Sequence, residues 1–242
     1  MRLLEELQMN AYPSLQTMLY DGWVLRFADG YTNRANSINP IYQSLENIDE
    51  KIDKCEIIFR KENLKPMYRI TPFVYPSNLD ELLENRGYEK IRQTSIRTLD
   101  LSSIMEPTIN SIITSSEPDH LWFDNYCEFN NVNERNRSNY KKMLGNLIPD
   151  KFFTSLLVNN EVIACGMGVI ENGFMALFSI TVSEQYRNNG YGTQLLINML
   201  KEGKASGAKT AYLQVMLDNI PALQLYNRLG FKEEYKYHYR VL

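Results

Sequence analysis

The sequence predicts an α+β fold, in which helices flank a mixed, mostly antiparallel sheet in an α/β sandwich-like arrangement. In the second half, three β-rich segments follow one another, separated by an Asn-Asn and an Asn-Gly turn. Helices with apolar residues at helical spacing then alternate with strands. The predicted elements are helices at 119–130 and 138–146, strands at 151–158, 162–170 and 174–182, a helix that begins near 191, strand 210–217, helix 221–229 and strand 231–242.

The first half alternates in a similar way. A helix is predicted over 2–20 and a hairpin around the Asp-Gly pair at 29–30. The remaining predicted elements are a helix at 43–62, a strand at 67–71, a helix at 79–85 and a strand at 91–101. Prolines and serines then concentrate between 102 and 118, which favours a linker. We therefore expect two domains, at residues 1–116 and 117–242.

The bulk composition is that of an ordinary globular protein. The 242 residues carry a net charge of −3 with a pI of about 5.6, so no basic excess indicates nucleic-acid binding. Three cysteines lie far apart, and neither histidine joins them at a metal-ligand spacing. The N-terminus lacks a signal peptide's apolar run, and no stretch approaches about 18 consecutive apolar residues. We expect a cytoplasmic protein with reduced thiols, no metal and no membrane span.

One polar loop in the second half has the composition of an anion site. It reads Arg187-x-x-Gly190-x-Gly192 and joins the strand ending at Val182 to a helix. The first turn of a helix presents N–H groups without intrahelical partners, together with the positive end of the helix dipole, and both favour phosphate. The glycines let the backbone approach a ligand closely, and Arg187 adds a positive charge. Taken alone, the hexapeptide also fits an ordinary strand-to-helix loop.

A second motif, Asn219-x-x-Ala222-x-x-Leu225-Tyr226-x-x-x-Gly230-Phe231, follows about 30 residues later. Together the two motifs resemble those of the GCN5-related N-acetyltransferases, the GNAT superfamily, over residues 120–242. The resemblance implies a GNAT fold and acetyl-coenzyme A (acetyl-CoA), or a related acyl-CoA, as cofactor. The cofactor-binding residues that it implies are Ile180, Thr181, Val182, Arg187, Asn188, Asn189, Gly190, Tyr191, Gly192, Thr193, Asn219, Ala222 and Tyr226.

The resemblance also implies a place for each part of the cofactor. The pyrophosphate would lie on the amides of 187–193, and the pantetheine would run beside 180–182 like an added strand. Asn219 would reach the pantetheine or the acyl group. Strand amides near Ile180 and Val182 would stabilise the oxyanion that forms when an amine attacks the thioester.

Tyr226 is the residue that the resemblance makes a catalytic acid. An unperturbed phenol has a pKa of about 10, so it is protonated near neutral pH and can give its proton to the leaving thiolate. An alternative is that Tyr226 only packs under the coenzyme arm.

The base that deprotonates the amine stays open. Relatives that acetylate protein N-termini often carry Glu where this chain has Gln214, and an amide cannot accept that proton at neutral pH. Water, Glu171 and His238 are the remaining candidates, and Ser179 could position the water. Each of these three side chains is also compatible with a purely structural role.

The first half contains an echo of the second motif. Residues 82–88, Leu-Leu-Glu-Asn-Arg-Gly-Tyr, align with 225–231, and Leu83 stands in the place of Tyr226. No Arg-x-x-Gly-x-Gly loop precedes this echo. We therefore predict two tandem GNAT-like units, of which the first has lost the coenzyme site; the alternative is a chance similarity between two helix C-terminal caps. The resemblance to superfamily members with paired units implies that the first unit packs against the second and helps to shape the acceptor cleft. Its most polar candidates are Arg34, Asn36 and Ser37, for which structural hydrogen bonding is the alternative.

These features together predict an acetyl-CoA-dependent N-acetyltransferase that acts on a primary amine of a small molecule or a peptide. The alternatives are a protein N-terminal or lysine acetyltransferase, and a CoA-binding regulatory module without turnover. No nucleic-acid or membrane partner is expected. The last strand could pair with a second copy, so a homodimer is possible.

Overall fold

A computed structural model describes residues 2–242, and its contacts divide the chain into two compact units. Unit 1 contains the chain up to Ile96, Ser138–Asn146 and Glu234–Leu242, and unit 2 contains Arg97–Arg137 and Leu147–Glu233. The units interleave along the chain instead of meeting at one position. The division into domains at residues 116 and 117 stays a prediction.

Helices and strands alternate along the described residues. In chain order, the helices are α1 (Arg2–Ala11), α2 (Ile48–Lys61), α3 (Leu79–Asn85), α4 (His120–Phe129), α5 (Glu134–Gly145), α6 (Tyr191–Ala205) and α7 (Ile220–Arg228). The strands are β1 (Gln16–Tyr20), β2 (Trp23–Phe27), β3 (Ser37–Pro40), β4 (Met67–Ile70), β5 (Glu89–Asp100), β6 (Ile112–Ser115), β7 (Asp150–Val158), β8 (Glu161–Glu171), β9 (Phe174–Val182), β10 (Thr210–Met216) and β11 (Lys232–Val241).

The sheet of unit 1 has the strand order β1-β2-β3-β4-β11-β5. The first three strands pair antiparallel, whereas β3 and β4 pair parallel because helix α2 connects them. Strand β11 pairs antiparallel with β4. Side chains of these strands and of α2 and α3 form a core that contains the fully buried Trp23, Phe59 and Tyr68.

The sheet of unit 2 has the strand order β5-β10-β9-β8-β7-β6. Strands β6 to β9 pair antiparallel, and β9 pairs parallel with β10 because helix α6 connects them. The apolar face of α6, with Leu195, Leu196 and Met199 fully buried, packs into the core of this unit. Each sheet is thus mixed and mostly antiparallel with flanking helices, which confirms the predicted fold class.

One order of elements occurs twice along the chain. Three antiparallel strands, a helix, a parallel strand, a helix and a last strand occur as β1-β2-β3-α2-β4-α3-β5 and again as β7-β8-β9-α6-β10-α7-β11. The two similar segments that predicted the repeat, 82–88 and 225–231, lie at equivalent places, each at the end of a helix. The amide of Tyr88 donates to the Leu83 carbonyl after α3, and the amide of Phe231 donates to the Tyr226 carbonyl after α7, both at 3.0 Å. Both helices therefore end in the same hydrogen-bonded turn.

Several predicted boundaries in the first half are wrong. The helix predicted over 2–20 ends at Ala11, and residues 16–20 form β1, which turns into β2 at Asp21 and Gly22. Pro13 interrupts the helical periodicity, and the segment after it pairs with β2 instead. Helix α2 begins five residues later than predicted because the side chain of Asn47 caps it, accepting from Asp49 and Glu50 amides.

The segment predicted as a linker contains a strand. Residues 112–115 form β6, which pairs with β7 at the edge of the unit 2 sheet. Its four residues are too short for periodicity to separate them from a loop. Helix α5 likewise begins at Glu134, four residues before the predicted start.

The three cysteines are buried and none forms a disulfide, as predicted. Burial raises the pKa of Cys55 and of Cys165 to about 12, so both thiols stay protonated at neutral pH. Among residues 2–242 no helix combines the length and apolar character that crossing a bilayer requires. No cluster of three metal-ligating side chains occurs in the same range.

A buried ion pair ties three elements of unit 1 together. Arg69 on β4 donates two hydrogen bonds to Glu5 on α1, at 2.8 and 3.0 Å, and both side chains are about 95% buried. Tyr235 on β11 donates to the same carboxylate at 2.5 Å. Arg69 also lies over the ring of Tyr237, with 3.4 Å between the guanidinium carbon and the ring centroid. The pair is fully hydrogen-bonded, which a charged group needs when it leaves water.

We expect Arg69→Met to lower the free energy of unfolding by about 3–5 kcal/mol, because it leaves the Glu5 carboxylate buried without its cation. Urea denaturation measures the change. The matched control is Arg60→Met, which breaks an exposed Arg-Glu pair on α2 and should cost less than about 1 kcal/mol. Equal losses in the two variants would contradict this assignment.

Candidate functional site

Strand β9 carries a bulge near its end. The residue pairs on either side of it are Cys165 with Thr181 and Met167 with Phe178. Two residues of β9, Ser179 and Ile180, therefore face the single residue Gly166 of β8. Ser179 has a φ of 55°, in the left-handed region that serine seldom adopts. The bulge bends β9 where residues 180–182 begin, the stretch that the resemblance places beside the pantetheine.

Strand β9 also separates from β10 before either strand ends. Within the described chain, their pairing covers three positions, from Phe174 with Thr210 to Ala176 with Tyr212. Residues 180–182 of β9, which the resemblance places beside the pantetheine, come after this pairing ends. An extended chain that carries amides can pair with a strand edge as an additional strand.

The predicted anion loop follows β9 directly. Gly190 occupies the N-cap of α6 with a φ of 80°, which a residue without Cβ adopts at no steric cost. It offers no side chain to the N–H groups of the first turn, which belong to Tyr191, Gly192 and Thr193. These donors and the helix dipole point out of the start of α6, so this turn can hold an anion.

Side-chain hydrogen bonds fix the conformation of the loop. The Arg187 side chain donates through Nε to the Val182 carbonyl at 3.2 Å, which leaves the outer nitrogens of its guanidinium for other acceptors. The Asn189 amide donates to the Arg187 carbonyl at 2.9 Å. Tyr186 donates to Glu161 at 3.0 Å, and its ring meets that of Tyr191 edge-on. Asn188, at a φ of 63°, completes the turn.

The second motif lies against the same turn. A Cβ at Gly192 would be 3.4 Å from Val182 and 3.6 Å from Leu225, so the start of α6 sits between β9 and α7. Tyr226, the next residue of α7, is 8% exposed and packs its ring against Phe231. The structure therefore brings the loop, the end of β9 and the Tyr226 helix together in unit 2.

Asn219 caps the helix that carries Tyr226. Its side-chain oxygen accepts from the Ala222 amide at 3.2 Å, and Pro221 occupies the first turn. The side-chain oxygen is committed to the helix, so a ligand would meet the NH₂ group of Asn219. Ala222 is half-buried against the core of unit 2.

The comparisons with known proteins agree with this geometry. The family described as "Probable histone acetyltransferase Rv0428c C-terminal" matches residues 1–240. The chain belongs to this family, within the GNAT superfamily of acetyltransferases.

Individual relatives cover the chain to different extents. The "Uncharacterized N-acetyltransferase YobR" of Bacillus subtilis (strain 168) is 29% identical over 244 residues, which cover 99% of this chain and 98% of that protein. An "N-alpha-acetyltransferase" of Sulfurisphaera tokodaii is 42% identical over 89 residues, or 31% of this chain and 53% of that protein. A GCN5-related N-acetyltransferase from Kribbella flavida has the same fold, with a TM-score of 0.73 at 12% identity and coverage of 99% and 94%.

The helix of unit 1 that is equivalent to α6 begins differently. Just before α2, the Asp21 carboxylate accepts from the Leu45 and Glu46 amides at 3.0 Å, and Asn47 caps the helix by accepting from the Asp49 and Glu50 amides. The buried Lys51 donates to the Asp21 carboxylate at 3.0 Å and lies 4.1 Å from the ring centroid of Trp23. At this helix start, the chain's own side chains thus supply the acceptors.

The base candidate Glu171, the possible water-positioning residue Ser179 and Gln214, which stands in place of the relatives' Glu, lie in different surroundings in unit 2. Glu171 pairs with Phe174 at the beginning of β9, roughly 26 Å of strand away from Val182. Ser179 forms the bulge itself. Gln214 is half-buried on the part of β10 that has separated from β9. Of these three, Glu171 is therefore too far along the strand to reach the loop end of β9.

The remaining candidates belong to unit 1. His238 is bound to Asp80 at 2.8 Å, and burial lowers the pKa of its imidazole. Asn36 uses its side chain for the Ala28 and Gly30 amides and the Thr32 carbonyl. The Ser37 hydroxyl accepts from Asn39 at 3.3 Å. Arg34 is half-buried, and the nearby Tyr237 raises its pKa. Asn36, Ser37 and His238 thus have structural partners of their own.

Two residues beside the bulge, Trp122 and Gly166, are not among those predicted from the sequence. Trp122 on α4 donates from its indole to the Gly166 carbonyl at 2.9 Å, opposite the bulge. A glycine inside a strand pattern is a known signal for a bulge, and Gly166 offered it. Trp122 had no such signal, because its partner is 44 residues away in the sequence.

We expect His238→Gln to flatten the pH dependence of stability. Burial lowers the pKa of His238 in the folded state below its ordinary value of 6.5, so protonation opposes folding. Its contribution is fully present above pH 6.5 and is lost as the pH falls through the folded pKa. Urea denaturation between pH 5 and 8 should show a shallower decline for the variant. The exposed His120→Gln is the control and should follow the wild type.

Proposed function

We propose that unit 2 transfers an acetyl group from acetyl-CoA to a primary amine of a small molecule or a peptide. The observation that carries this proposal is the uncapped first turn of α6, which lies between the end of β9, where residues 180–182 follow the pairing with β10, and the helix of Tyr226. A ligand that carries a phosphate, an amide-bearing arm and a thioester in this order would need an anion site, a strand to pair with and a reacting group in the same order.

The loop end of the site fits the pyrophosphate. The amides of Tyr191, Gly192 and Thr193 would donate to its oxygens, and the outer nitrogens of Arg187 would add charge-assisted hydrogen bonds. Asn188, Asn189 and Gly190 shape the turn that exposes these donors. The space around Gly190 is open, since a Cβ built on this residue would have no atom within 4 Å, and this leaves room for a phosphate oxygen.

The last residues of β9, 180–182, fit the pantetheine. Its two amide groups would pair with the backbone of residues 180–182, as a peptide adds to a sheet edge. The NH₂ group of Asn219 would donate to a carbonyl of the arm. Amides next to the bulge would then donate to the thioester oxygen, on which negative charge develops during attack.

The chemistry requires two proton movements. A neutral amine attacks the thioester carbon, the carbon–sulfur bond breaks, and an amide and a thiol form. We assign to Tyr226 the donation of a proton to the leaving sulfur. For the base we favour water, since Gln214 cannot accept the proton and Glu171 lies at the far end of β9.

We expect Tyr226→Phe to lower kcat at least about 100-fold, while the dissociation constant for acetyl-CoA changes little, because a general acid contributes a factor of that order. Thiol release measured with a chromogenic disulfide gives kcat, and calorimetry gives the dissociation constant. The matched control is Tyr68→Phe, another buried tyrosine, located in unit 1. If Tyr226→Phe keeps full turnover, Tyr226 only packs against the arm.

We expect Gly190→Asp to raise the dissociation constant for acetyl-CoA at least about tenfold. Its carboxylate would occupy the α6 turn, as the Asn47 side chain occupies the first turn of α2, and would repel phosphate. Acetyl-pantetheine, which lacks the pyrophosphate, should be turned over equally by variant and wild type.

The control for this variant is Gly207→Asp. Gly207 follows the C-terminal end of the same helix, with a φ of 93° and open space around its Cβ position, so strain and added charge are matched. Unchanged binding in Gly190→Asp, or equal weakening in both variants, would contradict the pyrophosphate site. An amine panel that includes peptides separates the acceptors: turnover on protein N-termini or lysines alone would favour a protein acetyltransferase, and binding without any turnover would favour a regulatory module.

A further inference from the structure

Arg26 on β2 is a buried cation of unit 1 that is held by carbonyls alone. The residue is only 4% exposed. Its guanidinium donates to three backbone carbonyls, those of Met9, Tyr12 and Arg34. Burial lowers the pKa of Arg26 to about 10, and the positive charge of Arg69 lowers it further. A guanidinium taken out of water ordinarily has a carboxylate as partner, and Arg26 has none among the described residues.

Two more arginines lie close to Arg26, and we call the three residues the arginine cluster. Arg69 shares the carboxylate of Glu5 with Tyr235. Arg34, whose carbonyl accepts from Arg26, is half-buried and forms no salt bridge within residues 2–242. Three guanidinium groups thus face one carboxylate, which leaves two positive charges without a counter-charge.

Two tyrosines of β11 face the arginine cluster. Tyr239 is the partner of Arg69 in the antiparallel register of β11 and β4, so the two side chains lie on the same face of the sheet. Tyr239 also interacts electrostatically with Arg26 and with Arg34. Burial alone would raise the pKa of Tyr237, yet the charges of Arg69 and Arg34 lower it below its ordinary value. This part of unit 1 therefore favours negative charge.

The Tyr239 hydroxyl is a donor that the chain does not use. The residue is 2% exposed, and its hydroxyl has no hydrogen-bond partner among the described residues. Arg69 beside it carries only N–H donors and cannot accept the hydroxyl proton. Burial raises the pKa of this phenol, so the proton stays on it at neutral pH. Uncompensated cations and a buried O–H group without an acceptor require the same partner, a negatively charged one.

We propose that unit 1 binds a small monovalent anion between Arg34 and Tyr239. The anion would accept from the Tyr239 hydroxyl and the Arg34 guanidinium, and would supply the counter-charge that Arg26 lacks. It reaches the site from the side of the half-buried Arg34, since Arg26 and Tyr239 are almost fully buried. Chloride and the carboxylate group of a small organic acid have the required charge and size. The site does not depend on the function proposed for unit 2.

Thermal unfolding at neutral pH and constant ionic strength tests this proposal. Sodium isethionate, whose anion is too bulky for an enclosed site, is replaced stepwise by sodium chloride or sodium acetate, up to about 150 mM. We expect the Tm to rise by at least about 2 °C and to level off, because a ligand that binds only the folded state stabilises it. A rise in chloride alone supports a monatomic anion, and a rise in acetate supports a carboxylate.

Two variants locate the effect, and each has a matched control. Tyr239→Phe removes the unused O–H group and Arg34→Gln removes an uncompensated charge, so neither should respond to the anion. In isethionate, Tyr239→Phe should be at least as stable as wild type, since it loses a buried group without a partner. The controls are Tyr68→Phe, which removes another buried hydroxyl without a partner on the opposite face of β4, and Arg60→Gln, which removes an exposed charge of α2. Both controls should respond like wild type.

Three results would overturn the proposal. One is an equal Tm of the wild type in all three salts. Another is a response that persists in Tyr239→Phe or in Arg34→Gln, or that a control variant loses as well. The third is a response that Gly190→Asp abolishes, because it would locate the anion at the α6 turn of unit 2. If Arg34→Gln fails to fold, Tyr239→Phe decides alone.

Discussion

The backbone donors at the start of an α-helix need acceptors, and the two units differ in whether side chains of the chain supply them. In unit 1, Asn47 supplies an oxygen to two amides in the first turn of α2, while Asp21 accepts from the two amides just before Asn47 and pairs with the buried Lys51. In unit 2, Gly190 supplies none to the first turn of α6. Since both helices follow a three-stranded meander in the same order of elements, the side chains at this one turn distinguish a self-satisfied helix start from one that a ligand can complete.

The separation of β9 from β10 places a second demand on the same unit. Residues 180–182 lie beyond the three positions at which β9 pairs with β10. This end of β9 leads directly into the uncapped turn of α6. The ligand that we propose, with phosphates at one end and amides along its arm, would meet these two features one after the other.

The sequence could predict the parts of this arrangement that depend on local chemistry. The Arg187-x-x-Gly190-x-Gly192 loop, the Asn219 cap and the turn after Tyr226 each need particular residues at short spacing. Contacts between distant residues could not be predicted in this way. The bond from Trp122 to Gly166, the bulge at Ser179 and the short strand β6 arise from packing between elements, for which one sequence carries no periodic signal.

The contrast between Leu83 and Tyr226 follows from the same reasoning. The backbone carbonyls of both residues accept the N–H hydrogen bond that ends their helix. The fold of each unit therefore needs a carbonyl at this position and not a phenol. Leu83 is fully buried in the core of unit 1, where a hydroxyl would require a partner. The hydroxyl at position 226 is not part of this helix-ending turn, and under the proposed function it gives a proton to the leaving sulfur. The helix start without a side-chain cap and the tyrosine that we propose as the acid therefore belong to the same unit.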